Sequence, residues 1–180
     1  STSLDDQRAS VAALVGLGAR HVDIGQRPEE GHVVLADPEG NEFCVLSDRR
    51  PKDLPGRAAR DVWIDAVTID VSNADRAGRF WAAALGWDEV DRDVDLVALR
   101  DPTGKRDDLL LLETPTRKRG KNRVHLDLVR DGDDETAEVR RVTDLGAATA
   151  DIGQAADVPW VVMTDPEGNE FCILPPRDLD

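Results

Sequence analysis

Between Trp63 and Val71 the chain alternates, with Trp63, Asp65, Val67, Ile69 and Val71 on one face and Ile64, Ala66, Thr68 and Asp70 on the other. A period of two among β-branched and aromatic residues predicts a strand. The spacing then becomes helical, because Ala77, Phe80, Trp81, Ala84 and Leu85 fall at i, i+3, i+4, i+7 and i+8. Ser72 or Asn73 can cap a helix over 74–85, and Gly86 can take the left-handed conformation that closes it. Short strands are expected at 89–90, 94–100 and 109–113. A second passage follows, with a strand at 123–129 and a helix at 134–144 that buries Val139, Val142 and Leu145 and ends at Gly146. Strands at 149–152, 160–164 and 171–174 complete it. Each half therefore reads βαβββ, an α+β arrangement.

The chain also repeats itself. Residues 17–46 (LGARHVDIGQRPEEGHVVLADPEGNEFCVL) and 145–174 (LGAATADIGQAADVPWVVMTDPEGNEFCIL) agree at 18 of 30 positions at a constant offset of 128. Such self-similarity marks a duplicated unit. The later copy is preceded by Val124-His-Leu-Asp-Leu128, whereas the earlier copy has no counterpart of that strand. The expected organisation is a partial module at 1–47, an exposed connector at 48–61 and a complete domain at 62–180, with modules 62–116 and 121–176. In the shared turn Asp-Pro-Glu-Gly-Asn-Glu, Asp accepts from the turn backbone, Pro presets φ and Gly takes the conformation closed to side chains. Its expected role is a hairpin connector, with direct ligand contact as the alternative. A half unit alone leaves a sheet edge and an apolar face open. Either a homodimer in which half units meet or a missing N-terminal half domain is expected to cover it.

Composition narrows the partners. The 180 residues are 40% hydrophobic, enough for a sizeable core, and 23 Lys and Arg against 37 Asp and Glu leave a net charge of −14. That field opposes general binding to nucleic acid or to an anionic membrane. No apolar run approaches the roughly 20 residues of a membrane span, and no basic segment followed by an apolar stretch opens the chain, so a cytoplasmic protein is expected. The cationic run Arg117-Lys-Arg-Gly-Lys-Asn-Arg123 is read as a solvated connector docked by Asn122 and Arg123. Cys44 and Cys172 sit at equivalent points of the repeat and are expected to be free thiols.

Three motifs together, Phe80-Trp81-x-x-x-Leu85-Gly86-Trp87, Lys121-Asn-Arg-Val-His-Leu-Asp-Leu128 and Asp165-Pro-Glu-Gly-Asn-Glu-Phe-Cys172, resemble the vicinal oxygen chelate superfamily. The resemblance is to its glyoxalase-like branch, which includes bleomycin-resistance-type proteins. It covers Trp63 to about Pro176 as one full domain and Leu4 to Leu46 as the back half of another. It implies paired βαβββ modules whose curved sheets enclose a cleft. In metal-using members the ligands stand on the first and last strand of each module. Carried over, these positions fall at Ala66, near Leu111 or Glu113, at His125 and at Cys172. Ala66 has no donor and Cys172 stands where the enzymes carry Glu, so the conventional set for a hard divalent ion is broken. His125 and Glu113 remain as candidate metal ligands. No other cofactor is implied.

Alternation along 124–128 puts His125 and Asp127 on one face and the three aliphatics on the other. The ligand-binding candidates are His125, Asp127, Thr68, Asp70, Trp160 and Cys172, and no catalytic residue is assigned. Each also has a plainer reading: a hydrogen-bonded histidine, strand-edge polar groups, a buried thiol and a rim or core tryptophan. The expected function is binding of a small cationic or aromatic metabolite or antibiotic in the inter-module cleft. The alternative is a metal-dependent lyase, isomerase, dioxygenase or thiol transferase with a modified ligand set.

Overall fold

Two units make up the chain, Ser1–Trp63 and Ile64–Asp180, and the computed structural model describes residues 3–27, 31–47 and 64–176. The expected connector at 48–61 and Trp63 lie outside the described residues. In the first unit, helix α1 (Ser3–Gly16) is followed by strands β1 (Arg20–His21), β2 (His32–Ala36) and β3 (Glu42–Leu46). The strands form an antiparallel sheet in that order. Val34, Leu35, Ala36 and Val45 are buried. The buried Gln7 of α1 donates from Nε2 to the carbonyl oxygens of Val45 at 2.8 Å and Gly31 at 3.0 Å, which ties the helix to β3.

The second unit contains both complete modules. The first runs β4 (Ala66–Val71), α2 (Ala74–Leu85), β5 (Asp88–Arg92), β6 (Leu96–Arg100) and β7 (Asp108–Glu113). The second runs β8 (Leu126–Val129), α3 (Glu135–Asp144), β9 (Ala148–Thr149), β10 (Val161–Thr164) and β11 (Glu170–Leu174). Their sheets have the same topology, β4-β7-β6-β5 and β8-β11-β10-β9. In each, the first and last strands pair parallel and the rest antiparallel. This is the βαβββ order that the periodicity predicts, twice.

Local chemistry fixes the ends of α2. The Asn73 side chain accepts from Arg76 N, and Gly86 at φ 65° donates its N–H to Ala82 O. Inside the helix, Gly78 is required by close approach, since a Cβ there would stand 2.8 Å from Val97 Cγ1 of β6. The boundaries shift where side chains hold a loop. β8 starts at Leu126, three residues later than the alternation suggests, because the Asn122 backbone N–H donates to Glu170 Oε2 at 3.0 Å and pins the preceding residues to β11. Among the described residues no helix is long and apolar enough to cross a membrane.

One core joins the two modules. Phe80 and Trp81 of α2 meet Phe171 of β11, with ring centroids 5.2 Å apart for Phe80–Trp81 and 5.3 Å for Trp81–Phe171. Val97, Leu99, Leu109 and Leu111 of one sheet and Met163 and Ile173 of the other belong to the same cluster. Polar groups complete the junction through the turn before β11. Asp165 Oδ1 accepts from the N–H groups of Glu167 and Asn169 at 2.8 and 2.9 Å, while Oδ2 accepts from Trp81 Nε1 at 3.0 Å. Glu167 accepts from the Ser72 N–H at 2.8 Å and from Arg76 Nε at 2.6 Å, and Asn169 Nδ2 donates to Asp70 O at 3.3 Å. From α3, Arg141 donates to the Ala84 carbonyl at the end of α2 at 2.9 Å.

Burial raises the Asp165 pKa above the ordinary carboxylate value, and the hydrogen bonds, the Trp81 indole among them, act against that rise. Trp81→Phe removes the indole donor while keeping most of the aromatic volume. It is expected to destabilise the protein by about 1–3 kcal/mol. The lost bond favours the ionised carboxylate, so the deficit is largest at neutral pH and shrinks as pH falls through the raised Asp165 pKa. Denaturant melts of both proteins at neutral and acidic pH measure this; a deficit that grows toward acid contradicts it.

Candidate functional site

The face of each sheet turned away from the shared core carries the polar strand positions. On β8, Leu126 and Leu128 pack against the core, so Asp127 points to the opposite face. The parallel register pairs Asp127 with Cys172 of β11, whose neighbours Phe171 and Ile173 are likewise in the core. Cys172, Val162 and Leu174 form a smaller cluster on that opposite face. His125, just before β8, reaches the same place: its Nε2 lies 3.2 Å from Asp127 Oδ1. The donor atoms of His125, Asp127 and Cys172 all lie within 4.8 Å of one another.

The loop ahead of His125 is fastened to the turn before β11. Lys118 Nζ lies 3.0 Å from Glu170 Oε1, and Asn122 Nδ2 donates to Asn169 Oδ1 at 2.8 Å. His125 and Asp127 are exposed, whereas Cys172 is buried. The thiol is pushed above its ordinary pKa first by burial, then by the Asp127 charge and a hydrogen bond to Asp127, with Lys121 opposing in part. A thiol so placed is a poor resting nucleophile.

The first module offers no matching donors. Thr68 and Asp70 are exposed on β4, on the face away from Val67, Ile69 and Val71. In the β4–β7 register Thr68 stands opposite Leu110, as Asp127 stands opposite Cys172. The last-strand position is therefore Leu110, an aliphatic residue. Glu113, the sequence candidate for that position, is not brought to His125. It falls on the same side of β7 as the buried Leu109 and Leu111, and its Oε2 accepts from the Ala74 N–H at 3.2 Å at the start of α2. The loop preceding β7 (101–107) is two residues longer than its counterpart before β11 (165–169), and Glu113 stands an odd three residues beyond Leu110, which puts it on the other face. Trp160 lies immediately before β10 and is 37% exposed. Asp127 was expected as a ligand contact; its role as the carboxylate shared by His125 and Cys172 was legible only in the strand pairing.

Residues 2–46 and 66–174 match the family described as the glyoxalase-like domain. The chain belongs to that family. This places the glyoxalase-like protein in the vicinal oxygen chelate superfamily. It is similar in fold to a glyoxalase/bleomycin resistance protein/dioxygenase family enzyme from Burkholderia phytofirmans PsJN, with TM-score 0.52, 17% identity, and coverage of 62% of this chain and 96% of that one. A possible glyoxalase from Bacillus cereus gives TM-score 0.50 at 14% identity, covering 63% and 99%. A mutant of the fosfomycin resistance protein FosX from Listeria monocytogenes, complexed with Mn(II) and 1S,2S-dihydroxypropylphosphonic acid, gives TM-score 0.50 at 10% identity, covering 62% and 88%. No curated protein matches the chain.

Asp127→Asn removes the charge that holds the Cys172 proton and leaves the burial in place. In chelator-treated protein, the pH midpoint for alkylation of Cys172 is expected to move down, remaining above that of an ordinary thiol. An unchanged midpoint would mean that burial alone sets the thiol.

Proposed function

We propose that this glyoxalase-like protein binds a small cationic or aromatic molecule, a metabolite or an antibiotic, on the face that carries His125 and Asp127, without a conventional hard-metal site. The observation that carries this reading is the one-sided distribution of donors. The second module presents an imidazole, a carboxylate and a thiol, while the matching positions of the first are Thr68 and Leu110, with Ala66 at the start of the strand. Hard divalent ions favour several oxygen ligands, and this set supplies one carboxylate. The exposed Asp127 and Asp70 suit a cation, and the indole of Trp160 suits stacking on a flat or positively charged group. That FosX, which shares the fold, is a fosfomycin resistance protein makes an antibiotic a reasonable member of the ligand class.

A second reading rests on the closeness of the three donors. One imidazole, one carboxylate and one thiol match the preferences of zinc, a borderline ion that takes nitrogen and sulfur ligands and keeps a position open in catalytic sites. His125, Asp127 and Cys172 would hold it, and the ion would supply Lewis-acid polarisation of a bound oxygen. His125 and Asp127 already face each other at 3.2 Å, so their second role would be to orient the site. The corresponding activity is a lyase, isomerase, dioxygenase or thiol transferase.

Metal analysis separates the readings. Protein purified without chelator, and again after incubation with zinc, nickel, manganese and iron, is expected to retain no stoichiometric metal. About one firmly held ion, lost in His125→Ala, would establish the second reading instead. With chelator present, a thermal-shift screen of cationic and aromatic compounds is expected to yield a ligand whose affinity falls about tenfold or more in Asp127→Asn, the loss of a charge-assisted contact of roughly 1.5–3 kcal/mol. Trp160→Ala is expected to weaken the same ligand; unchanged affinity in both variants would remove the site assignment.

A further inference from the structure

The face that carries His125 and Asp127 holds fixed charges of both signs at one end. Glu170 lies two residues before Cys172 on β11 and so on the same side of the strand. It accepts from the Lys118 ammonium at 3.0 Å and from the Asn122 N–H at 3.0 Å, and Asn122 Nδ2 donates to Asn169 Oδ1 at 2.8 Å. These bonds fasten the loop on either side of Lys121 to the start of β11. The Lys121 charge acts on the Cys172 thiol, in opposition to that of Asp127. An ammonium and a carboxylate thus lie within Coulombic reach of one sulfur.

The partners of these charges differ. Glu170 is answered by Lys118. Asp127 faces His125 Nε2 at 3.2 Å, and a neutral imidazole can donate there without cancelling the carboxylate charge. The exposed Lys121 side chain has no hydrogen bond or ion pair among the described residues, and the same holds for Arg117 and Arg119. Five of the 23 Lys and Arg fall within 117–123, in a chain whose net charge is −14. With 37 acidic residues in the sequence, the ammonium beside the site is still left without one.

We infer that the ligand of this face is a zwitterion, with a cationic group at Asp127 and an oxyanion, such as a carboxylate, at Lys121. The inference rests on the binding function proposed above and adds the anionic group and the residue that reads it. A simple cation gains from Asp127 but is repelled by Lys121. A simple anion is repelled by Asp127 and by the field of the whole chain. A molecule carrying both groups gains at both positions, and its zero net charge leaves that field without effect on its approach. Lysine presents a compact point charge with no planar fork, so it reads the charge of the oxyanion and not its shape.

Three probes share an indole and differ in charge: tryptophan carries both groups, tryptamine the ammonium and indole-3-propionate the carboxylate. Each is titrated at fixed ionic strength into the full chain, with the amide NMR shifts of residues 120–127 and 170–173 as the readout. Tryptophan is expected to bind about threefold or more tighter than either of the others, the size of one contact between exposed charges. Lys121→Gln brings tryptophan down to the level of tryptamine, and Asp127→Asn brings it down to that of indole-3-propionate. Tryptamine that binds as tightly as tryptophan, with Asp127→Asn weakening both, overturns the inference and leaves the cationic reading of the site intact. Binding by none of the three overturns it as well. A second readout needs no ligand. Iodoacetate and iodoacetamide have nearly the same size and differ by one charge, so in the ratio of their alkylation rates burial and thiol ionisation cancel. At Cys172 that ratio is expected to fall about threefold in Lys121→Gln and to rise in Asp127→Asn, while the ratio at Cys44, which has no counterpart of the 117–123 loop, stays constant in both. A Cys172 ratio that Lys121→Gln leaves unchanged overturns the inference.

Discussion

A buried carboxylate must be answered by donors, and Asp165 is answered from both modules of the second unit. Two of its hydrogen bonds close its own turn, and one comes from the Trp81 indole on the helix of the other module. That single carboxylate couples turn geometry to helix position through its two oxygens. Desolvation of an ionised group costs several kcal/mol when it is unpaired, so the seated helix offsets part of the cost of burying this carboxylate. The aromatic contacts of Phe80 and Trp81 with Phe171 add apolar area to the same junction. Every position on the opposite faces of the two sheets is referred to this junction, including the donors of the candidate site.

The elements were largely legible in the sequence because helix and strand periods are local. The helix at 74–85 emerges at its expected limits, since Asn73 and Gly86 are capping residues whatever the tertiary context. The alternation at 124–128 correctly put His125 and Asp127 on one face. What it could not give was partnership across strands. Register depends on the length of the turn before the last strand, and one residue of error reverses the face. Glu113 was placed in the site by carrying over the family's last-strand position without a register; it stands an odd three residues from Leu110, on the other face, and supports the start of α2. The turn hexapeptide could be recognised as a turn from its residue types, yet its outward bonds to Ser72, Arg76 and Trp81 join positions more than 80 residues apart and leave no local signature.

The candidate site sets three different donor types side by side. An imidazole, a carboxylate and a thiol stand together on one face of the second module's sheet. Asp127 serves two neighbours, since it faces the imidazole and adds to the effect of burial in raising the pKa of the thiol. Such a group biases the site toward hydrogen bonding with a ligand and away from nucleophilic attack by sulfur.

The parallel pairing of first and last strands has a further consequence for how such proteins change over time. Side chains alternate, so Val67, Ile69, Leu109, Leu111, Leu126 and Phe171 hold the core while the intervening Thr68, Leu110, Asp127 and Cys172 are set apart from it. Substitutions at the exposed Thr68 and Asp127 leave the shared core untouched, and substitutions one residue along do not. The architecture thereby separates heritable variation in chemistry from variation in stability, strand by strand.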